Sequence, residues 1–341
     1  MTLLATSASM LPRWFTLHLG TDFGERFHTD PVYRYGELLA MKRALCERFA
    51  DVPEFQHAVN AGGAEEGCAT ISGVYGIKLV ARLYGQPILY RNDDWPEGAP
   101  HFRLTPAEIA RMDPIDLDAH PVMAELEEQM DVLEAAYGIV EGYVNYQGIL
   151  NTAFALCGSD IFLTLLEDEA CADAVFAHIA DTMLRLAKRI QARQRRGGFD
   201  LDLLSVSNCV MNMISPQHYE RFVLPHDRRL SESFARFGMH TCNWNVTPYL
   251  DSIRKIEKIG YLDMGIHSDM ARAQSLFPYA RRAVLYTPLW VENKTEAEIS
   301  ADISKIHAEL GACDIVLADL SDTTTDDQIR AFLRLVDKEA K

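Results

Sequence analysis

The chain of 341 residues has no apolar run approaching the ~18 residues of a membrane span. Its mildly apolar start, MTLLATSASMLPRWF, has no basic stretch ahead of it. Neither a transmembrane helix nor a signal peptide is therefore expected. Positive charge is scarce: 33 Lys and Arg stand against 49 Asp and Glu, a net charge of −16. Nucleic acids and anionic membranes call for a basic face, so both are excluded as partners. The local exception, RIQARQRRGG at 189–198, reads as the cationic end of a helix, where it complements the helix dipole. Seven cysteines are scattered at 46, 68, 157, 171, 209, 242 and 313, with no CxxC. An odd, dispersed set reads as reduced thiols, and the cytoplasm is the expected compartment. Internal repeats, low-complexity tracts and a Pro/Ser linker are also missing, which favours a single domain.

Apolar residues make up 48% and charged residues 24%, ordinary material for a globular core. The C-terminal half is the most regular. Ser215-Pro216 opens a helix whose stop is expected at Gly238, with a kink at Pro225. Thr247-Pro248 opens another, ending at Gly260. Thr295 with Glu298, and Thr325 with Gln328, make helix-start signatures. Between these helices lie short apolar runs: LDLLSVSNC (201–209), GMHTCNW, YLDMGI, AVLYTPLWV and CDIVLADL. Strands alternating with helices through short loops mean a parallel sheet. No GxGxxG accompanies them, so the expectation is an α/β fold of (β/α)8 barrel type. Upstream, residues 30–50 read as a helix, 68–93 as a strand plus hairpin, and 137–148 as a strand leading into a helix. The expected division is an N-terminal helical extension over 1–60 and the barrel over 61–341.

In GMHTCNWN (238–245), His240 and Cys242 stand two apart near a strand end, where side chains i and i+2 face one side. The C-terminal strand ends form the catalytic face of such a barrel. Imidazole and thiolate are both good zinc ligands, although a buried His beside a buried Cys has the same spacing. Other strand ends offer further polar groups. His267 and Asn208 are catalytic candidates; Tyr146, Gln147, Trp244 and Tyr286 are candidates for contacting substrate. Asp269 reads as a helix cap, and AELEEQMDVLEAA (124–136) as a solvated helix face.

The stretch SPQHYERFVLPHDRRLSESFARFGMHTCNW, with DIVLADLSDTTTDDQIRAF at the end, resembles the uroporphyrinogen decarboxylase superfamily. The resemblance runs over about 200–335. The arginine-rich RQAGR-like segment of true uroporphyrinogen decarboxylases is not matched, because Arg34, Lys42 and Arg43 are dispersed. The closer branch is the zinc-dependent methyltransferases that move a methyl group from a corrinoid to a thiol. That likeness implies zinc on an H-x-C pair, matched by His240 and Cys242, with a later cysteine as third ligand, and there this chain departs from the pattern. Cys313 stands at the start of its strand, on the far face. Asp319, at the end of that strand, is the preferred third ligand, and Cys209 is also permitted by barrel geometry. No DxHxxG corrinoid-binding signature occurs, so a corrinoid donor would arrive free or on a separate protein. Two other readings stay open: a metal-dependent decarboxylase or lyase acting on a smaller acid, and a non-catalytic tetrapyrrole-binding barrel.

Overall fold

The computed structural model describes residues 4–51, 56–57 and 69–339. Cys68, which opens the segment expected as a strand, lies outside the described residues. Eight strands form the main sheet: β1 (Leu4–Met10), β2 (Gln56–His57), β3 (Tyr146–Gln147), β4 (Leu203–Ser207), β5 (Arg236–His240), β6 (Ile259–Met264), β7 (Arg281–Tyr286) and β8 (Cys313–Leu320). Their order is β2-β1-β8-β7-β6-β5-β4-β3, and every pairing is parallel. Parallel strands carry helices on their outer face, and Leu262, Val284, Ile315 and Leu317 are fully buried.

The sheet curls strongly. Ser9 on β1 and Tyr146 on β3 line the same cavity, although six strand spacings separate them. In a flat sheet those spacings would amount to about 29 Å. Among the described residues no ladder joins the two edge strands; the sheet is curled in the manner of a barrel.

The expected boundary at residue 60 needs correction. β1 lies inside the sheet, with Leu4 opposite Cys313 and Ala8 opposite Leu317. Its sequence, LATSASM, is mostly small and polar, and its partner is 309 positions away, so no local apolar run announces it. Only the helices Pro12–Leu19, Glu25–Thr29 and Pro31–Arg48 correspond to the expected helical extension.

The local helix signals act as their chemistry dictates. Ser215 accepts from the His218 amide, and Thr295 and Glu298 cap each other reciprocally. Thr325 and Gln328 do the same. Pro225 has no N–H to donate, and the turn immediately before it, Tyr219–Val223, widens into a π-helix. Gly238 and Gly260 are not helix stops. Both lie within strands, and a Cβ on Gly238 would stand 2.8 Å from Ser205 Oγ. The basic run at 189–198 is largely neutralised: Arg189 pairs with Glu127, Arg193 with Asp131 and Glu134, and Arg195 with Asp200. Among the described residues no single helix is long and apolar enough to cross a membrane.

Candidate metal centre

The C-terminal strand ends open onto one cavity of about 540 Å³. β5 ends at His240, and the chain then turns, with Cys242 in the left-handed region at φ 62°. This turn brings Cys242 Sγ to 3.1 Å from His240 Nε2. β4 ends at Ser207, and a 3₁₀ turn begins at Cys209. The Asn208 amide donates to the His240 carbonyl at 2.7 Å, tying the two strand ends together. Cys209 Sγ consequently lies 2.6 Å from Cys242 Sγ. The donor atoms of Cys209, His240 and Cys242 all fall within 4.8 Å of one another.

Behind the histidine stands a buried carboxylate. Asp263 on β6 is 1% exposed, and its Oδ2 lies 2.6 Å from His240 Nδ1. Its other oxygen accepts from the Thr241 amide at 2.6 Å, and the Tyr261 hydroxyl donates to Oδ2 at 3.1 Å. The carboxylate holds the proton on Nδ1 and leaves Nε2 facing the sulfurs, the arrangement that orients histidines on metals.

Without a cation the cluster shares its protons unevenly. The hydrogen bond from Cys242, then those of His240, lower Cys209 to about 5 against the opposing effect of burial. Burial works against protonated His240, but Asp263 and Cys209 outweigh it and raise the imidazole to about 10. Cys242 is pushed well up, first by its bond to Cys209 and then by burial. A cation on these donors would displace their protons.

Two thiols and an imidazole suit zinc, and three protein ligands leave one position open. Sulfurs on a tetrahedral zinc, with bonds of about 2.3 Å, stand about 3.8 Å apart. The present 2.6 Å is longer than a disulfide bond of ~2.05 Å, and the pair must spread by roughly an ångström to take the ion.

No protein-family profile matches the chain, and no curated protein does. Solved structures do match. A methyltransferase from Methanosarcina mazei aligns over 99% of this chain and 94% of its own, with a TM-score of 0.67 and 12% identity. The chain shares that fold. A B12-independent methionine synthase from a Shewanella species aligns over 100% of this chain and 97% of its own, with a TM-score of 0.49 and 10% identity. The parallel α/β fold expected from the sequence agrees with the fold found.

The other expected site residues divide. Asp319, the preferred third ligand, lines the cavity from the end of β8, but Cys209 completes the cluster in its place. Cys313 opens the same strand opposite Leu4, is buried and is pushed up to about 12 by burial. Asn208, expected to be catalytic, is 2% exposed and turns away from the cavity to donate to Asp227 Oδ2 at 3.0 Å. His267 is exposed and packs edge-on against Trp290, away from the cavity. Tyr146 lines the cavity. Tyr286 does so too, but its hydroxyl is engaged by Asp302 at 2.6 Å. Gln147 is buried and does not line the cavity, and Trp244 packs against Tyr249. Asp269 caps the helix Met270–Leu276, as read. Arg34 is fully buried, donating to the Phe27 and His28 carbonyls and to Gln129.

Asp263 carries little signal in the sequence. Its one signal is a carboxylate inside the apolar run YLDMGI, one strand over from the His-Cys pair. Cys242 and Asp319 also share a positive φ of 62°, a conformation costing a non-glycine residue about 1–3 kcal/mol. Both strained residues line the cavity.

Proposed function

We propose that the chain is a methyltransferase in which zinc, held by Cys209, His240 and Cys242, serves transfer of a methyl group to a thiol. The observation that carries this reading is the meeting of two sulfurs and a carboxylate-oriented imidazole at the mouth of a curled parallel sheet. The shared fold with a methyltransferase supports it. Zinc at these donors would supply a thiol acceptor that stays deprotonated at neutral pH.

The chain's own groups do the rest. Asp263 fixes the histidine tautomer and, with Thr241 and Tyr261, keeps the ring from rotating. The Asn208 amide sets the distance between the strand ends that carry Cys209 and His240. Ser207, Asn145, Asn151 and Tyr146 wall the cavity and hold the acceptor in line with the donor. A methylated corrinoid is the expected donor, arriving free or on a separate protein, because the chain lacks the DxHxxG signature.

The decarboxylase alternative asks for cations around a substrate carboxylate. Among the described residues lining the cavity none is Lys or Arg.

The test is elemental analysis of the purified protein, followed by the absorbance change of methylcobalamin with a panel of thiols. One zinc per chain and thiol-dependent demethylation are expected. Metal-replete protein that demethylates with no thiol would remove the reading.

A further inference from the structure

The identity of the acceptor can be narrowed from charge, on the footing of the thiol-methylation reading. The cavity that holds Cys209, His240 and Cys242 is otherwise walled by neutral polar groups such as Ser9, Asn145, Asn151, Ser207 and Thr287. No Lys or Arg is among its described lining residues, and the sequence of 58–68, AVNAGGAEEGC, contains none either. Lys78 lies in an adjoining pocket of about 240 Å³ that shares Ile77 and Asn145 with the cavity. Asp94 and Glu97 line that pocket with it; burial lowers the Lys78 ammonium, with Glu97 opposing.

One carboxylate faces the cavity directly. Asp319 stands at the end of β8 with a left-handed backbone and makes no hydrogen bond or ion pair among the described residues; burial raises its carboxyl and the charge of His240 opposes that. Two thiolates and a neutral imidazole cancel the charge of a divalent ion, so an acceptor thiolate leaves the site with one negative charge beside that of Asp319. A sulfonate or carboxylate on the acceptor would add a further like charge in a cavity with no Lys or Arg among its described lining residues. An ammonium group would offset Asp319 instead.

We propose that the methyl acceptor is an aminothiol whose ammonium group lies against Asp319, and that acidic thiols are disfavoured. In the step, R–SH loses its proton to solvent. The sulfur pair forms the S–CH₃ bond while the bond from methyl carbon to donor breaks, its pair staying on the donor. The ammonium is unchanged in the product thioether.

Three thiols with one two-carbon spacer test this: 2-aminoethanethiol, 2-mercaptoethanol and 2-mercaptoethanesulfonate. The amine is expected to exceed the sulfonate in kcat/KM by about tenfold or more, and Asp319→Asn to remove most of that ratio. Calorimetric binding of 2-(methylthio)ethylamine and 2-(methylthio)ethanesulfonate gives a readout independent of turnover. The amine should bind more tightly to the native chain, and the two should be equal on Asp319→Asn. A sulfonate that reacts or binds as well as the amine overturns the proposal. If no thiol is methylated while the amine preference and its loss in the variant persist, the methyl-transfer reading falls and the ammonium site stands.

Discussion

Nδ1 of His240 lies 2.6 Å from Oδ2 of Asp263, and that carboxylate is 1% exposed. A buried carboxylate with this partner, the Thr241 amide and the Tyr261 hydroxyl has its acceptor capacity largely committed to one imidazole orientation. Asp263→Asn is expected to keep the fold and weaken zinc binding by about 10–100-fold. A competition titration against a chromophoric chelator measures it. An unchanged affinity would mean that the histidine needs no orienting partner.

The tie between strand ends runs through Asn208, whose side chain ends at Asp227. Burial raises Asp227 to about 7, against the hydrogen bonds of Tyr219 and Asn208, which lower it. The unfolded chain releases this proton near pH 4, while the folded chain keeps it until about 7. Between these values the folded state binds more protons, so the stabilising contribution is complete below pH ~4 and is lost as pH rises through the folded value. Asp227→Asn should flatten that part of the profile and leave the variant less sensitive to pH between 5 and 8. Urea midpoints across that range test it, and parallel profiles for the two proteins would contradict it.

A Cβ on Gly148 would fall 1.7 Å from Asn208 Oδ1 and 2.9 Å from the Ser207 carbonyl. The glycine therefore makes room for the side chain of Asn208, whose backbone N–H ties the two strand ends. Gly148→Ala is expected to cost about 1–3 kcal/mol of stability by overpacking, read from chemical denaturation. It should also lower metal affinity, because displacing Asn208 moves Cys209. A variant of native stability and full metal content would show that Asn208 has room to move.

Local chemistry was legible in the sequence, and tertiary neighbourhood was not. Ser215, Thr295 and Thr325 announce helix starts because a cap needs only residues three positions apart. His240 and Cys242 were legible as a pair for the same reason, although Cys242 arrives through a left-handed turn and not along the strand. β1 was not legible: its small, polar residues carry no apolar signature, and its pairing to β8 spans nearly the whole chain. The meeting of Cys209 with His240 and Cys242 depends on how two neighbouring strand ends turn, which their own sequences do not encode. Asn208 and His267 were placed at the right ends of strands, but one side chain turned into the protein and the other into solvent.

The central claim is that two sulfurs and one imidazole nitrogen hold a zinc ion, with Cys209 and not Asp319 as the third donor. X-ray absorption at the zinc edge on the native protein, Cys209→Ser and Asp319→Asn tests it most directly. The expected result is two sulfurs at about 2.3 Å and one nitrogen at about 2.0 Å, with one sulfur lost in Cys209→Ser and the shell unchanged in Asp319→Asn. A native shell of oxygen and nitrogen alone, or a sulfur count untouched by Cys209→Ser, would contradict it.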